Sequence, residues 1–287
     1  MKKPFFSIII PCFNVEKSII PTLESLNKQD FNDLELIFIN DGSTDNTINI
    51  IKNFKCPHKK IIINKSNGGL GSARNAGIKR SNGKYVCLLD ADDTWLSNKL
   101  KIIFSILSKN KQIELLCHNE FVVNENGKIL KKNYYGPHTS FKDLYFKGNC
   151  LSPSAVTIKN NVFNKVGYFT ENLELHGVED YDMWLRCGEK KINFYYVPDF
   201  LGNYIIHGEN MSVKFEFYDK IENLLYLYSN YLPNNKYYRY KLKIKFLKFY
   251  LGKLLNSIQS SKSVNIYKSI KDIIRFIFKY ERNKIKV

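Results

Sequence analysis

The stretch Tyr85-Val-Cys-Leu-Leu-Asp-Ala-Asp-Asp93 places three carboxylates directly after an apolar run. The run predicts a buried strand, and Asp90, Asp92 and Asp93 follow at its carboxyl end. Ionised carboxylates this close repel one another unless a cation lies between them. Oxygen ligands in such a cluster suit a hard divalent ion such as Mg²⁺ or Mn²⁺. The stretch therefore predicts a metal site at the end of a strand, suited to gripping a phosphorylated substrate.

Strands and helices alternate in the sequence around this stretch. Short apolar runs predict buried strands at residues 6–11, 34–39, 60–63 and 85–89. Helical spacing or helix-start signals predict helices at 15–29, 47–54 and 72–80. This alternation indicates parallel βαβ units, in which ligands bind outside the carboxyl ends of the strands. We therefore expect four polar loops to converge on one sheet edge, namely residues 11–14, 40–41, 67–71 and 90–93.

The remaining two thirds of the chain are less regular. A helix is predicted at 99–108, a strand at 113–123, a helix at 179–189 and a strand at 194–197. Residues 130–175 are rich in aromatic and polar side chains and are interpreted as a substrate-facing insertion. Helix dominates from residue 215 onward, although Lys241–Phe246 alternates with period two, so that a strand stays open there.

Composition bounds the class of protein. The chain has 287 residues and is 44% hydrophobic, which favours one large domain or one domain with a tail. Six scattered cysteines without a C-x-x-C pair predict buried thiols in a reducing compartment rather than disulfides or a zinc site. The short run 5–13 is interrupted by Pro11 and does not resemble a secretory signal, and no apolar stretch reaches about 20 residues. We therefore expect a cytosolic protein.

Basic charge is concentrated near the C-terminus. Residues 1–213 carry 27 Lys and Arg against 22 Asp and Glu, whereas residues 214–287 carry 17 against 5, so the two parts contribute +5 and +12 to the net charge of +17. A solvated helical face, nucleic-acid binding and an anionic membrane surface all fit this tail. No recognised nucleic-acid motif accompanies it, and aromatic-rich basic helices favour the membrane.

Several further motifs have two interpretations. The run Asn67–Asn75 is Gly-rich, but Arg74 stands where a Rossmann pattern needs its last glycine, and no P-loop pattern occurs. It is either a plain turn or a phosphate-approaching loop, and Arg74 favours phosphate contact. Asp41 fits either an Asx-turn or a contact to a base or ribose.

The second group of motifs lies late in the chain. Glu179 and Asp180 open a helix, where acidic residues are either dipole partners or, near a cleft, a general base. Trp184 lies on the same helix face as Asp180 and either lines a sugar pocket or packs in the core. His207 follows a strand within a polar motif and is a candidate contact to metal or phosphate.

Taken together, these segments resemble the family-2 glycosyltransferases. The resemblance is carried by Ser7-Ile-Ile-Ile-Pro-Cys-Phe-Asn14, Glu35–Asp45, Asn67–Gly77 and Leu89–Asp93, in the expected order and spacing. It implies an α/β GT-A fold with a mostly parallel central sheet flanked by helices. The expected domain is 1–213, with a nucleotide-binding half (1–100) and a metal and acceptor half (101–213), followed by a basic, mainly helical extension (214–287).

The resemblance also implies site residues. Asp180 would be the catalytic base, and Asp92 and His207 would contact the metal, Mn²⁺ or Mg²⁺. Glu179 and Trp184 would line the acceptor side. The nucleotide-sugar would be bound by Pro11, Phe13, Asn14, Glu16, Asp41, Gly69, Arg74, Asp90 and Ala91. Ile205 occupies the place of the arginine in the family's Arg-x-His motif, so its pyrophosphate role would pass to Arg74 or a lysine.

The activity implied is inverting transfer of one sugar from a UDP-sugar to a hydroxyl of a glycan or lipid-linked acceptor. Lipopolysaccharide, capsule or other bacterial surface-polysaccharide synthesis fits, at the cytoplasmic face of the inner membrane. The lack of membrane spans favours single-sugar addition over processive polymerisation, and no nucleic-acid partner is expected. Oligomeric state stays open. Two alternatives stay open as well, a sugar-nucleotide nucleotidyltransferase and a non-catalytic basic membrane-binding protein.

Overall fold

The computed structural model describes residues 3–207, 216–259 and 263–282. The chain divides into two compact units, residues 1–210 and 211–287. The first unit is an α/β fold built on one nine-stranded sheet, and the second is helical.

The sheet of the first unit is mixed. Its strands run β3-β2-β1-β4-β8-β6-β9-β5, and β7 pairs with β6 beside this path. Their bounds are β1 Phe6–Cys12, β2 Leu34–Asp41, β3 Lys59–Lys65, β4 Tyr85–Leu88, β5 Thr94–Trp95, β6 Leu115–Asn124, β7 Ile129–Asn133, β8 Val156–Lys159 and β9 Phe194–Ile206.

Strands β1 to β4 form the parallel half, as the alternating pattern predicted. Phe6 of β1 pairs with Leu34 of β2 on one side and with Tyr85 of β4 on the other. All residues of β1 and β2 are buried, as expected for a parallel sheet that is covered on both faces. Because the strands run the same way, their carboxyl ends and the polar loops that follow meet at one edge.

The antiparallel strand β8 (Val156–Lys159) shows that part of residues 130–175, interpreted as a substrate-facing insertion, belongs to the sheet. It lies in the middle of the sheet, antiparallel to both β4 and β6. A strand of only four residues forms here because it pairs with a strand on each side and is largely buried. Strand β9 is also longer than the predicted 194–197, and it runs parallel to β6 as far as Ile206.

Within the described residues of this unit, seven α-helices connect and cover the strands. They are α1 Ile19–Asn27, α2 Thr47–Asn53, α3 Gly69–Arg80, α4 Lys99–Lys109, α5 Phe141–Lys147, α6 Val162–Val166 and α7 Glu179–Glu189. Helix α7 has the predicted bounds, whereas α1 begins four residues later than predicted. Helix α3 starts at Gly69, inside the Gly-rich run, so its first turn lies at the carboxyl edge of the sheet.

The second unit contains α8 (Glu216–Ser229), α9 (Lys236–Gln259) and α10 (Ser263–Arg282). The segment Lys241–Phe246 is helical, so the strand alternative is wrong there. The fully buried Lys253 of α9 lies 2.8 Å from Asp219 of α8 and 2.7 Å from Asp272 of α10. No helix in the described part of the chain is long and apolar enough to span a bilayer.

The predicted buried thiols are largely confirmed. All six cysteines are free, four are buried, and Cys56 and Cys150 are partly exposed.

Candidate functional site

Asp41 closes one end of the candidate site. It is the last residue of β2, and its carboxylate accepts hydrogen bonds from the backbone nitrogens of Gly68 (3.1 Å) and Gly69 (2.9 Å). The ammonium of Lys65, at the end of β3, lies 2.5 Å away. Gly69 has a φ of +81°, which a side chain would strain, so this loop needs glycine to turn its amides toward Asp41.

The loops after β1 and β2 are tied to each other beside Asp41. Asn14 accepts from the backbone nitrogen of Thr44 at 2.8 Å, and Glu16 accepts from that of Asn46 at 2.8 Å. Phe13 is 48% exposed at this edge, whereas Pro11 is buried within β1. Of these predicted residues, Phe13 thus has an exposed ring that a ligand can contact, whereas the side chain of Pro11 is buried.

The three carboxylates of the opening stretch have different surroundings. Asp90 and Asp92 are partly exposed, and Oδ2 of Asp92 lies 2.8 Å from Nε2 of His207. Asp93 is buried, where it accepts hydrogen bonds from the backbone nitrogen of Ile205 (3.0 Å) and the hydroxyl of Ser154 (2.6 Å). Asp93 is therefore a structural residue, and Asp90 and Asp92 remain available to a ligand.

Ala91, between them, is also buried. Its carbonyl oxygen lies 2.9 Å from the hydroxyl of Thr22 on α1, which also lies 2.8 Å from the carbonyl oxygen of Asp93. Ala91 therefore has no exposed side chain with which to contact the donor as predicted. Instead, this buried residue anchors the loop to α1.

The electrostatics of this cluster fit a cation. Burial, reinforced by the charge of Asp90, raises the pKa of Asp92, while His207 acts in the opposite direction. The pKa of Asp93 is raised well above its usual range by burial and by the nearby Asp92 and Glu120. A divalent ion beside Asp90, Asp92 and His207 would relieve this repulsion, and oxygen with imidazole nitrogen is a donor set that Mn²⁺ accepts. The residues present therefore fit the expected metal.

Arg74 joins this cluster to the start of α7. Its side chain is 2% exposed, with Nη1 2.6 Å from Glu179 and Nη2 2.8 Å from Asp90. Burial alone would lower the pKa of Arg74, but the charges of these two carboxylates raise it. The expected open phosphate contact is thereby corrected: both terminal nitrogens of Arg74 are occupied within the protein, and the residue bridges two loops.

Glu179 and Asp180 follow this bridge. Glu179 is buried, and besides Arg74 its carboxylate accepts from the backbone nitrogen of Gly177 at 2.6 Å, so it holds the loop rather than lining an open acceptor surface. Asp180 keeps partial exposure, and the amide of Asn149 lies 3.3 Å from it. Burial and the neighbouring charge of Glu179 raise the pKa of Asp180 to about 7. A carboxyl that titrates near neutrality suits a general base.

The alternative in which Trp184 lines a sugar pocket is also wrong. The indole is fully buried and meets the ring of Phe169 edge to face, with centroids 6.3 Å apart. Trp184 therefore packs in the core and lines no open pocket. It lies one helical turn after Asp180, at a point where the face that the two residues share is buried.

Three residues that support the site were not singled out in the sequence. Lys65 could have been found as a polar residue at the carboxyl end of β3, which the sheet-edge argument covers. Ser154 and Thr22 could not, because each is an ordinary polar residue far along the chain from Asp93.

Comparisons with known proteins place this geometry in a family. The family described as glycosyl transferase family 2 matches residues 7–179. An uncharacterized glycosyltransferase of Methanocaldococcus jannaschii is 30% identical over 213 residues, which is 72% of either chain. The Escherichia coli UDP-Glc:alpha-D-GlcNAc-diphosphoundecaprenol beta-1,3-glucosyltransferase WfgD is 29% identical over 180 residues, covering 62% of this chain and 68% of WfgD.

One solved structure supports the fold. TarS of S. aureus, residues 1–349 in complex with UDP-GlcNAc, superposes with a TM-score of 0.69 at 22% identity, covering 94% of this chain and 81% of TarS. Several curated relatives are longer, and the matched segment spans 21–36% of the length of four of them.

Proposed function

The chain belongs to glycosyl transferase family 2, and we propose that it moves one sugar from a UDP-sugar to a hydroxyl of a glycan or lipid-linked glycan, with inversion. The observation that carries this proposal is the Arg74 bridge. It ties Asp90 of the carboxylate cluster to Glu179, the neighbour of Asp180. A group able to hold a leaving diphosphate and a group able to take a proton are thereby joined through one buried side chain.

The uridine end of the donor is proposed to bind at Asp41. A carboxylate accepts the N–H of uracil, and Lys65 and the amides of Gly68 and Gly69 already surround this one. Phe13 supplies an exposed ring on which a base can stack. The printed names of two relatives, UDP-Glc for WfgD and UDP-GlcNAc for TarS, support uridine as the nucleoside.

The leaving group is proposed to lie at the carboxylate cluster. Asp90, Asp92 and His207 would hold Mn²⁺ or Mg²⁺, which stabilises negative charge on a departing diphosphate when bound. Asp180 takes the proton of the acceptor hydroxyl, and that oxygen attacks the anomeric carbon from the face opposite the nucleotide. A single displacement of this kind inverts the anomeric centre.

Release of UDP tests the donor proposal. The wild-type protein is incubated with a panel of UDP-, GDP- and CDP-sugars, with Mn²⁺, with Mg²⁺ or with EDTA. We expect UDP from a UDP-sugar in the presence of metal, and at least tenfold less from Asp92→Asn. A matched control is Asp33→Asn, an acidic residue outside the site. Formation of UTP and sugar 1-phosphate from a UDP-sugar on addition of pyrophosphate would support the nucleotidyltransferase alternative, and UDP release unaffected by EDTA would contradict metal dependence.

The second unit is proposed to bind an anionic membrane surface. Helix α9 buries one face and exposes apolar side chains along the opposite one: Tyr240, Leu247, Leu251, Leu255 and Ile258. Lysines of the same helix flank this stripe, at 243 and 248 among others. A helix with an exposed apolar stripe edged by lysines suits the interface of an anionic bilayer.

Sedimentation with vesicles tests this surface. We expect the full chain to bind phosphatidylglycerol vesicles more tightly than phosphatidylcholine vesicles, and Leu251→Glu with Leu255→Glu to weaken binding at least fivefold. The control is Glu24→Gln, which alters an exposed residue of the first unit. Equal binding by the double variant and the wild type would refute a role for the stripe. UDP release should be the same in both proteins when no vesicles are present.

A further inference from the structure

Lys99 is a fully buried lysine behind the carboxylate cluster. It is the first residue of α4, and its side chain has no exposed surface. Its ammonium donates to the carbonyl oxygen of Ser154 at 2.8 Å and lies 3.3 Å from the centre of the Trp95 ring. The indole nitrogen of Trp95 donates to the same carbonyl at 2.8 Å. Two buried donors therefore fix the main chain of Ser154.

Ser154 in turn fixes the loop that carries the carboxylates. Its hydroxyl donates to Oδ2 of Asp93 at 2.6 Å and accepts from the backbone nitrogen of Asp90 at 3.1 Å. The other oxygen of Asp93 accepts from the backbone nitrogen of Ile205, two residues before His207. One serine thus holds both ends of the stretch 90–93 and, through Asp93, the strand that leads to His207.

A buried lysine at this position needs a physical reason. Burial lowers the pKa of Lys99 to about 7, so holding an ammonium there is costly. Nearby acidic groups, Glu120 and Asp93, favour its charged form, and both are buried. Well-packed apolar residues often stabilise a fold as well as or better than a buried charged pair. The lysine is therefore poorly explained by stability alone, and its contacts lead to the candidate metal loop.

We propose that Lys99 is a positioning residue for the cation site, acting through Ser154 to hold Asp90 and Asp92 in the geometry that binds a divalent ion. The inference rests on the proposed function only for the presence of that ion. Lys99 itself touches neither ion nor substrate. Its loss loosens the loop, so that affinity for the ion falls while the uridine end of the site, at Asp41, is unchanged.

Binding of Mn²⁺ to the full-length protein tests this role without measuring transfer. Isothermal titration gives the Kd of Mn²⁺ in the presence of saturating UDP, and separately the Kd of UDP in EDTA. Lys99→Met keeps the length of the side chain and removes its ammonium. We expect its Mn²⁺ Kd to rise at least tenfold, about 1.4 kcal/mol, and its UDP Kd to stay within twofold. Lys99→Arg should restore part of the Mn²⁺ affinity.

The matched control is Lys101→Met, on the same helix. Lys101 is exposed and pairs with Asp30, so its removal should leave both constants unchanged. Ser154→Ala provides a second route, since it removes the hydroxyl between Asp90 and Asp93 and should weaken Mn²⁺ binding in the same way. It decides the matter if Lys99→Met does not fold.

Two results would overturn the proposal. An Mn²⁺ Kd within twofold of wild type in folded Lys99→Met, or in Ser154→Ala should the lysine variant not fold, would show that the loop holds its shape without the link that runs from Lys99 through Ser154. An equal loss of UDP and Mn²⁺ affinity would show a general structural role. A wild-type protein that binds UDP but no Mn²⁺ would refute metal dependence in the proposed function. That outcome is distinguishable from the other two, and it would remove the role of Lys99 as well.

Discussion

Replacing Asp180 by asparagine is expected to abolish sugar transfer and at the same time to stabilise the protein above pH 7. In the wild type, burial and the charge of Glu179 disfavour the ionised carboxylate and raise the pKa of Asp180 to about 7. Asparagine has nearly the same shape and no charge to desolvate. It can still accept a hydrogen bond from Asn149, which lies 3.3 Å from the wild-type carboxylate.

The sign of the stability change follows from the direction of the pKa shift. An unfolded aspartate has a pKa of about 3.9, so the folded protein holds this proton to a higher pH than the unfolded chain does. The resulting stability is complete below the unfolded pKa and is lost as pH rises through the folded pKa, near 7. Asp180→Asn should therefore be more stable than wild type at pH 8, with the difference shrinking toward pH 5.

The magnitude is limited by the partial exposure of Asp180. The full shift corresponds to about 4 kcal/mol at 1.36 kcal/mol per pKa unit, and solvent screening reduces this to on the order of 1–2 kcal/mol. In a domain of this size, 1 kcal/mol moves the melting temperature by about 2–4 °C. We therefore expect Asp180→Asn to melt roughly 2–8 °C above wild type at pH 8.

Thermal melts at pH 5 and pH 8, together with UDP release and UDP binding, measure these effects. Wild-type kcat/KM should rise about tenfold per pH unit below 7 and then level off, because only about a tenth of the base is ionised at pH 6. Asp180→Asn should lose at least 10²-fold in transfer and retain UDP affinity. A variant that transfers sugar at near-wild-type rate, or that melts lower than wild type at pH 8, would refute the assignment.

Three further substitutions test the Arg74 bridge, the packing of α3 and the uridine end of the site. Arg74→Met leaves two carboxylates without their counter-ion and should lower the free energy of unfolding by about 3–5 kcal/mol. The control Arg80→Met changes an exposed residue at the end of the same helix and should cost less than about 0.5 kcal/mol. Equal melting temperatures of the two variants would contradict the bridge. Gly71→Ala would place a methyl group 2.1 Å from a backbone carbonyl oxygen and should destabilise the protein by about 1–3 kcal/mol. The control Gly252→Ala lies in open space within α9 and should stabilise the protein by up to about 1 kcal/mol. The opposite order of stability in chemical denaturation would refute the close packing at Gly71. Phe13→Ala should weaken UDP binding by about 1–3 kcal/mol in calorimetry without lowering the melting temperature, and unchanged affinity would exclude stacking.

The sequence was sufficient to predict the parallel half of the sheet. Each of β1 to β4 contains a run of three or more apolar residues and is followed by polar turn residues, and both faces of β1 and β2 are buried. Such runs are informative because a fully buried strand tolerates few polar side chains. Helix α7 was also predicted to the residue, since its acidic first turn marks where it begins.

The middle of the sheet could not be predicted in this way. Strand β8 has four residues and lies in a segment rich in polar and aromatic side chains. Its identity as a strand depends on pairing with β4 and β6, which are distant in the chain. Local patterns carry no record of such pairing, so the order of strands around β8 emerges only from the three-dimensional structure.

The sequence offered candidate site residues by their type, but it did not predict the contacts between them. The sequence singled out Asp90 and Asp92 because carboxylates crowded at a strand end repel one another without a cation, and the family resemblance added Asp41 and Asp180. It misjudged Arg74 because a guanidinium near a Gly-rich loop fits phosphate as well as it fits two carboxylates. It gave Trp184 two environments, and only packing against Phe169 decides between them.

Time-resolved proton NMR of a UDP-sugar turning over on the wild-type protein tests the central claim most directly. With Mn²⁺ present, an α-linked UDP-sugar should yield UDP, and the first sugar product, with water or an added glycan as acceptor, should carry the β configuration. Asp180→Asn should yield neither while still binding UDP. First appearance of the α product would contradict a single displacement with Asp180 as base, and formation of UTP and sugar 1-phosphate only when pyrophosphate is added would contradict sugar transfer itself.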